Sequence, residues 1–410
     1  MQKIYDVIIV GAGMAGLYTA FLLKSQNPKI SLLVIEKNNK QHLGGRANTE
    51  LFYGTKISIG AGIGRTKKDK LLAELMRHFK MPVKHYMVEH HIATIRTIDV
   101  PETMRLLKKE YEKHKTHMRE NPQTFRQFAK HLLGETDYNR FLNSTGFTDY
   151  EHEDAYETIY EYGMEDNLGG WKAFSVAWHD LVQHLYNSVG TSNFIFGKKV
   201  TGIQQYDTEI NVKTVSNLSN HPQIFAGKKV VIATTVDTLR QVFPKNAIYK
   251  DIEPQPFMRV YGKFDKASVS ILKEVLPRFT YVDFPIQKII PIDPDNGVYM
   301  IVYNDNASSL ALKNRIENTA QNRQFYENLL ENLLKLPRDS LHLIGIRTFY
   351  WNYGTHYYKP LSKSYKTREE FIRKAQRPYD NIFVVGELVS RNQGWTEGAL
   401  ESVKEIISEM

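Results

Sequence analysis

Hydrophobic and polar positions along the chain follow two periodicities, which together predict an α/β protein. Asp6 to Val10 is a short β-branched run, Gly11 to Gly16 is a glycine turn, Leu17 to Lys24 is helix-like and apolar, and Ser31 to Glu36 is typical of a second strand. This order of strand, turn, helix and strand predicts the start of a parallel, doubly wound sheet.

The rest of the chain predicts an insertion into that sheet. Residues from Pro101 to His184 are charged and helical, with little β character, whereas short strands are predicted between Phe194 and Thr234 and mixed β/α structure between Met258 and Tyr350. A last strand, Asn381 to Val385, precedes a final helix whose apolar face carries Leu400, Val403, Ile407 and Met410. We therefore predict a discontinuous nucleotide-binding domain (1–80, 190–245 and 375–410) and an inserted substrate domain (81–189 and 246–374).

The glycine turn matches the G-x-G-x-x-G fingerprint of dinucleotide-binding proteins. Gly11 permits the tight turn, Gly13 lets the backbone approach a pyrophosphate, and Gly16 lets the helix pack on the strand. The helix N-terminus then offers free N–H groups to the phosphates. Glu36 ends the second strand, where a carboxylate accepts hydrogen bonds from the adenosine ribose. The sequence therefore predicts an adenine dinucleotide but does not by itself distinguish FAD from NAD.

Composition narrows the function classes. With 42% hydrophobic and 24% charged residues among 410, the chain is that of an ordinary globular protein. A net charge of +9 is spread along the sequence and gives no reason to expect nucleic-acid binding. Cysteine is absent, which excludes disulfides, thiol nucleophiles and a cysteinyl bond to a cofactor. The histidine pairs lack convergent carboxylates, so no metal site is predicted.

One uncharged stretch, Val7 to Leu23, could be mistaken for a membrane element. It is 17 residues long and interrupted by glycines, and it lacks the basic start and cleavage site of a signal peptide. We predict a soluble, cytoplasmic protein without a membrane anchor, either a monomer or a homodimer.

Three further blocks resemble the flavin-containing amine oxidase superfamily, which includes monoamine, polyamine and L-amino-acid oxidases. They are Leu43-Gly44-Gly45-Arg46, Val385-Gly386-Glu387 and Gly394-Trp395-Thr396-Glu397-Gly398-Ala399-Leu400. With the N-terminal fingerprint they cover about half of the chain, in the family's order. The resemblance implies an α/β fold with an FAD-binding Rossmann-like domain of the glutathione-reductase type and an inserted α+β substrate domain.

The resemblance also implies a set of residues around noncovalently bound FAD. It comprises Gly11, Gly13, Ala15, Gly16, Glu36, Lys37, Gly44, Gly45, Arg46, Gly60, Ala61, Gly62, Ile63, Val200, Thr234, Gly386, Glu387, Trp395, Thr396 and Ala399. Thr396 is expected to cap the last helix, whose positive end in the family faces the flavin and stabilises its negative charge on reduction.

Catalytic residues are implied on the substrate side as well. Trp395 and Tyr357, with Tyr358 as the second choice, match the two aromatic rings that guide the amine to the flavin in the family. His356 falls where some members carry a flavin-linked cysteine. The family's lysine near flavin N5 is replaced by Arg259, unless the alignment shifts by four residues to Lys263.

The implied function is oxidation of a polyamine, monoamine or amino acid to an imine by hydride transfer to flavin N5, with O2 as acceptor and H2O2 as product. Desaturases and porphyrinogen oxidases share these flavin motifs. A flavin-dependent desaturase or a non-catalytic FAD-binding interaction protein is therefore the alternative.

Overall fold

The computed structural model describes residues 3–93, 97–217 and 221–410. The strands are β1 Ile4–Val10, β2 Leu32–Ile35, β3 Thr49–Phe52, β4 Thr55–Ser58, β5 Gly64–Arg65, β6 His85–Val88, β7 His90–Ile92, β8 Trp171–Phe174, β9 Phe194–Ile195, β10 Lys198–Gln205, β11 Ile210–Ser216, β12 Pro222–Ile232, β13 Ile252–Phe264, β14 Phe279–Tyr281, β15 Lys288–Asp293, β16 Val298–Asp305, β17 Leu343–Tyr358 and β18 Ile382–Val384. The helices are α1 Met14–Gln26, α2 Lys70–His78, α3 Val100–Lys113, α4 Lys115–Glu120, α5 Phe125–Thr145, α6 Ala155–Tyr160, α7 Trp178–Val189, α8 Val236–Val242, α9 Lys266–Val275, α10 Asn306–Leu312, α11 Ala320–Leu334, α12 Arg368–Gln376 and α13 Thr396–Lys404.

A seven-stranded sheet forms the nucleotide-binding part of the molecule. Its strands run in the order β10, β11, β12, β1, β2 and β9, and β18 pairs with β12. Strand β1 is parallel to β2 and to β12, and β18 is parallel to β12. The carboxyl ends of these parallel strands therefore meet at one edge, the edge at which ligands bind in open α/β sheets. The predicted doubly wound sheet is confirmed.

Both faces of this sheet are covered, as its continuous apolar strands require. On one face α1, α2, α7 and α13 enclose a core that includes Leu17, Leu72, Leu181 and Leu400. The other face packs against α8 and α12. Helix α7 packs in the first core. This packing favours an end of the first inserted segment before Trp178, rather than at residue 189 as predicted. The domain bounds stay a prediction.

The inserted part contains a second, six-stranded sheet and a helical layer. The sheet has the order β17, β13, β16, β15, β14 and β7, and helices α9 and α11 pack on it through a separate apolar core. Helices α3 to α6 enclose a further core around Phe125 and Phe141. Between residues 101 and 184 the one strand is β8, so the predicted helical character of this segment is confirmed.

The final helix differs slightly from its prediction. It ends at Lys404, and Ile407 lies in a short 3-10 turn rather than in the same helix. Leu400, Val403 and Ile407 are nevertheless buried together. No helix within the described ranges is long and apolar enough to cross a membrane.

Candidate active site

The glycine turn between β1 and α1 has the geometry that its motif predicts. Gly11 has a φ of +102°, and a Cβ there would lie 2.3 Å from the Ala233 carbonyl oxygen. A Cβ on Gly16 would lie 2.0 Å from the Gly11 carbonyl oxygen. A Cβ on Gly13 would have no atom within 4 Å. The first and third glycines thus permit close packing, while the second leaves open space above the helix N-terminus.

Glu36 lies beside this turn and is nearly buried, at 8% exposure. One carboxylate oxygen accepts a hydrogen bond from the Ala12 N–H at 2.8 Å, and the other accepts one from the Asn38 N–H at 2.9 Å. Each oxygen keeps a further lone pair. The carboxylate is therefore held in place and still has the capacity to accept a hydrogen bond from a ribose hydroxyl.

A cleft of about 680 Å³ runs from this turn into the molecule, and we call it the dinucleotide cleft. Most of the predicted cofactor residues line it: Gly11, Gly13, Ala15, Glu36, Lys37, Gly44, Gly45, Arg46, Gly60, Ala61, Val200, Thr234, Gly386, Glu387, Trp395, Thr396 and Ala399. Gly62 and Ile63 line the neighbouring cavity instead. Gly16 lines neither, because it packs against the Gly11 backbone.

Glu387 links three residues in the far wall of the cleft. Its Oε1 lies 3.2 Å from Arg46 Nη1 and 2.5 Å from His356 Nδ1, and its Oε2 accepts a hydrogen bond from the Gly394 N–H at 3.2 Å. Burial raises the pKa of Glu387, but the interactions with His356, Arg46 and Gly394 outweigh it and lower the pKa to about 2. Glu387 is therefore ionised and fixes Arg46 and the Gly394 loop at the cleft.

The start of α13 corrects one prediction. The residue that precedes the helix is Trp395, in extended conformation, and no side chain caps the N-terminus. Thr396 is already the first helical residue, so it does not cap. Glu397 instead accepts hydrogen bonds from the Leu71 and Leu72 N–H groups at 2.6 and 3.0 Å, at the start of α2. The N-terminal end of α13 lies at the cleft, where Thr396 and Ala399 form part of the wall.

A second cavity, of about 550 Å³, adjoins the cleft, and we call it the aromatic cavity. The two share six lining residues, which we call the junction: Phe147, Asp149, Arg259, Tyr303, Gly394 and Trp395. A ligand in one cavity therefore meets a ligand in the other at these residues.

Both predicted aromatic residues line the aromatic cavity. Trp395 is held by a hydrogen bond from its Nε1 to Asp69 at 3.0 Å and by an edge-to-face contact with Trp178 at 6.2 Å between ring centroids. Tyr357 lies in the wall of the same cavity. Tyr358 points to the core, where its hydroxyl donates to the Ser390 carbonyl at 2.9 Å. The structure thus places the first choice, Tyr357, at the cavity and the second choice away from it.

Of the two candidates for the position of the family's lysine, only Arg259 reaches the junction. It is 5% exposed, and its guanidinium stacks on Tyr303 at 4.3 Å from the ring centroid, because the two residues are opposite each other on β13 and β16. Lys263 lies four residues further along β13, about 13 Å at the usual rise of a strand. Its Nζ binds the Asn296 Oδ1 at 2.9 Å, and it lines neither cavity.

Lys288 is a site residue that the sequence analysis missed. It is 3% exposed on β15, and its Nζ lies 3.5 Å from the centroid of the Phe147 ring, 4.8 Å from that of Tyr281 and 5.4 Å from that of Tyr303. Burial lowers the pKa of Lys288 well below its usual value, and nearby Asp305 and Asp149 oppose that shift. The sequence signal that could have indicated Lys288 was a single charged residue within the mainly apolar run Ile286 to Ile292.

Two buried acids lie at this place: Asp149 belongs to the junction, and Asp305 lines the dinucleotide cleft. Asp149 accepts a hydrogen bond from the Tyr162 hydroxyl at 2.6 Å, and both oxygens of Asp305 accept from the Thr148 N–H, at 3.1 and 3.0 Å. Burial, with a contribution from Asp305, raises the pKa of Asp149 to about 7. Asp149 therefore changes protonation state near neutral pH.

Comparison with known proteins supports the fold and the cleft. The NAD(P)-binding Rossmann-like domain family matches residues 9–79, which span the glycine turn and Glu36. Cyclohexylamine oxidase from Brevibacterium oxydans IH-35A superposes with a TM-score of 0.74 at 15% identity, over 99% of each chain. The chain has the fold of this amine oxidase. A triple mutant of putrescine oxidase, from a redesign of its cofactor binding, gives a TM-score of 0.73 at 13% identity, over 99% of this chain and 98% of the other. The predicted α/β class, with a Rossmann-like domain and an inserted domain, is confirmed.

Proposed function

We propose that this chain is an FAD-dependent oxidoreductase that oxidises an amine to an imine. The observation that carries the proposal is the junction, where the dinucleotide cleft and the aromatic cavity share one set of wall residues. A cofactor in the cleft and a substrate in the cavity would meet there. The similarity of the fold to cyclohexylamine oxidase and putrescine oxidase supports an amine as the reacting group.

The residues of the cleft fit FAD. The open side of Gly13 and the N-terminus of α1 offer a cradle for the pyrophosphate, and Glu36 offers an acceptor to the ribose. The N-terminus of α13 offers positive potential where negative charge develops on reduction. FAD, when bound, supplies the two-electron acceptor that takes a hydride from the carbon beside the amine nitrogen.

The chain supports noncovalent binding of this cofactor. It has no cysteine that could form a thioether link. His356, the other candidate for a link, has both ring nitrogens engaged: Nδ1 with Glu387 at 2.5 Å and Nε2 with the Val236 N–H at 3.3 Å. We therefore expect denaturation to release the flavin from the protein.

Residues of the junction and of the aromatic cavity bind the amine and handle its proton. Trp395 and Tyr357 exclude water from the reacting carbon and position it. An amine reaches the protein mainly as an ammonium ion and must lose a proton before it reacts. Asp149 is placed to accept that proton, because its pKa of about 7 makes the carboxylate available near neutral pH. The proposed final electron acceptor is O2, with H2O2 as product.

A visible spectrum of the purified protein, followed by anaerobic titration with mono-, di- and polyamines and amino acids, tests this function. Flavin bands at about 370 and about 450 nm are expected from the chemistry of the isoalloxazine ring. We expect one class of amine to bleach the band at longer wavelength, and cyclohexanol, the alcohol matched to cyclohexylamine, to leave it unchanged. Admission of air should restore the band and produce H2O2.

Each result identifies which part of the proposal stands. A colourless protein that cannot be reconstituted with FAD would overturn the cofactor. Bound flavin that no amine bleaches would overturn amine oxidation and favour a desaturase or a non-catalytic FAD-binding protein. Bleaching without reoxidation by air would replace the oxidase with a dehydrogenase that uses another acceptor.

A further inference from the structure

Arg259 is a buried cation for which the protein provides no ionic partner. It is 5% exposed, its Nε has no hydrogen-bond partner, and Nη1 contacts the Met300 sulfur at 3.6 Å. Among the described residues, no carboxylate lies within 4 Å of its guanidinium. Arginine keeps its charge in proteins, and a buried charge without a partner is costly. The arrangement therefore calls for an anion that the chain itself does not supply.

Because Arg259 lies at the junction, an anion that pairs with it would bind there. The side chain lines both cavities, and Nη2 lies 3.8 Å from the place a Cβ on Gly62 would occupy. Lys288 also lines the aromatic cavity, and both side chains contact the Tyr303 ring, at 4.3 and 5.4 Å from its centroid. Arg259 supplies the permanent positive charge of this part of the wall, and Lys288, whose pKa burial lowers, supplies an amino group near it.

The two buried acids, Asp149 and Asp305, do not fully neutralise the positive charge of Arg259. Asp305 is occupied by Thr148, and Asp149 accepts its hydrogen bond from Tyr162. Burial raises the pKa of both acids, so they hold protons at higher pH than ordinary aspartates do. The junction thus presents a cation whose Nε has no hydrogen-bond partner together with a buried carboxyl group, that of Asp149.

We propose that Arg259, assisted by Lys288, binds the carboxylate of the substrate and that the substrate is an amino acid. The amine would face Asp149 while the carboxylate faces the guanidinium, which offers a planar pair of donors that suits a carboxylate. The inference rests on the proposed function for the oxidation itself and adds no chemical step to it. A simple amine would leave Arg259 without a partner and would bring an ammonium group close to it with no carboxylate to offset the charge.

Binding of benzoate and of benzyl alcohol to the flavin-loaded protein, measured by calorimetry, tests the anion site without turnover. The two probes share a ring and differ in charge. We expect benzoate to bind about 30-fold more weakly to Arg259→Met than to the wild type, because a charge-assisted pair is lost. Benzyl alcohol should bind both proteins equally. Lys288→Met should weaken benzoate binding in the same direction and serves as the second variant if Arg259→Met fails to fold.

Arg347→Met is the matched control. Arg347 also stacks on an aromatic ring of the same sheet, Phe349, at 5.0 Å, but it is exposed and pairs with Glu50 at 2.7 Å. The Arg347→Met variant should bind both probes as the wild type does. Equal benzoate binding in the wild type, Arg259→Met and Lys288→Met would overturn the anion site. Equal weakening of both probes in Arg259→Met would overturn it too, because the residue would then shape the cavity or serve the cofactor.

A second measurement separates this inference from the proposed function. Anaerobic reduction of the flavin is compared for phenylalanine and phenethylamine, which differ only in the carboxylate. Faster reduction by phenylalanine, lost in Arg259→Met, is expected. Faster reduction by phenethylamine would overturn the amino-acid substrate and leave amine oxidation standing. Selective benzoate binding with no reduction by any amine or amino acid would overturn amine oxidation and leave the anion site standing.

Discussion

In the proposed reaction, Asp149 is the residue whose protonation state decides whether an incoming ammonium group can lose its proton. Burial and the neighbouring Asp305 raise its pKa to about 7, while Lys288 and the Tyr162 hydroxyl act in the opposite direction. Below that pH the carboxyl group is neutral and cannot accept a proton. Above it the carboxylate is available, so a proton can leave the substrate within the site.

The rate of anaerobic flavin reduction should therefore rise with pH. At a fixed, low substrate concentration we expect an increase of about tenfold per pH unit below about 7, because the substrate arrives as an ammonium ion whose proton Asp149 accepts only when it is ionised. Stopped-flow measurements between pH 5.5 and 9 would follow it. In Asp149→Asn the inflection near 7 should vanish, and the rate should follow the ionisation of the free amine alone. An inflection near 7 in both proteins would assign it to another group.

Single residues also mark the limit of what the sequence predicts. Glu36, Arg46 and Glu387 were predictable because each follows a strand or a glycine pair in a recognisable block. Lys288 and Asp149 were not, since they meet only when β15 and the loop after α5 approach each other in the folded chain. The choice between Arg259 and Lys263 also required the structure, because a shift along one strand leaves the local pattern almost unchanged.

Within the unit formed by β1, the glycine turn and α1, two glycines have different tasks. One permits the packing of the helix, and the other leaves room for the proposed cofactor. Gly16 is where the helix touches the turn, so any side chain there must push backbone atoms apart. A Cβ on Gly13 would meet no protein atom within 4 Å, and Gly13 lines the dinucleotide cleft. The same motif thus contains one glycine required by the fold and one that the proposed ligand would require.

Two alanine substitutions distinguish these roles. Gly16→Ala should lower the thermal stability of the flavin-free protein by several degrees, because its Cβ would lie 2.0 Å from the Gly11 carbonyl oxygen. Gly13→Ala should leave that stability unchanged and weaken FAD binding by about tenfold or more, since a methyl group would occupy the pyrophosphate cradle. Thermal unfolding and fluorescence titration with FAD measure the two effects. Equal loss of stability in both variants would contradict this division.

The elements themselves were predicted unevenly. Strands β1 and β2 carry continuous apolar runs, so they begin and end within two residues of their predicted bounds. The cap of α13 was predicted wrongly because Thr396 resembles a capping residue, whereas the extended residue before the helix is Trp395. Glu397 was placed in the correct turn, but its partners on α2 lie more than 300 positions away along the chain.

The whole molecule is joined by a buried ionic cluster between segments that are distant in sequence. Arg368, at the start of α12, is 3% exposed and contacts Asp154 at 3.1 Å and Glu157 at 3.2 Å, at the start of α6 and within it. It also donates to the Lys359 carbonyl at 2.8 Å. Arg391 binds Glu157 from the loop after β18. The helical layer of the inserted part is thereby connected to the elements that cover the first sheet.

Removal of the Arg368 side chain should destabilise the whole chain rather than one element. Arg368→Met leaves two buried carboxylates without their shared partner, which costs about 3–5 kcal/mol when a buried pair is broken. Arg373→Met, an exposed arginine of the same helix, should cost less than about 0.5 kcal/mol. Denaturant unfolding followed by circular dichroism gives both values. Adding Asp154→Asn to Arg368→Met should recover part of the loss, since the charge of Asp154 loses its partner in that variant, whereas Glu157 keeps Arg391. A loss in Arg368→Met no larger than in Arg373→Met would mean that Arg368 does not help to hold the two parts of the molecule together.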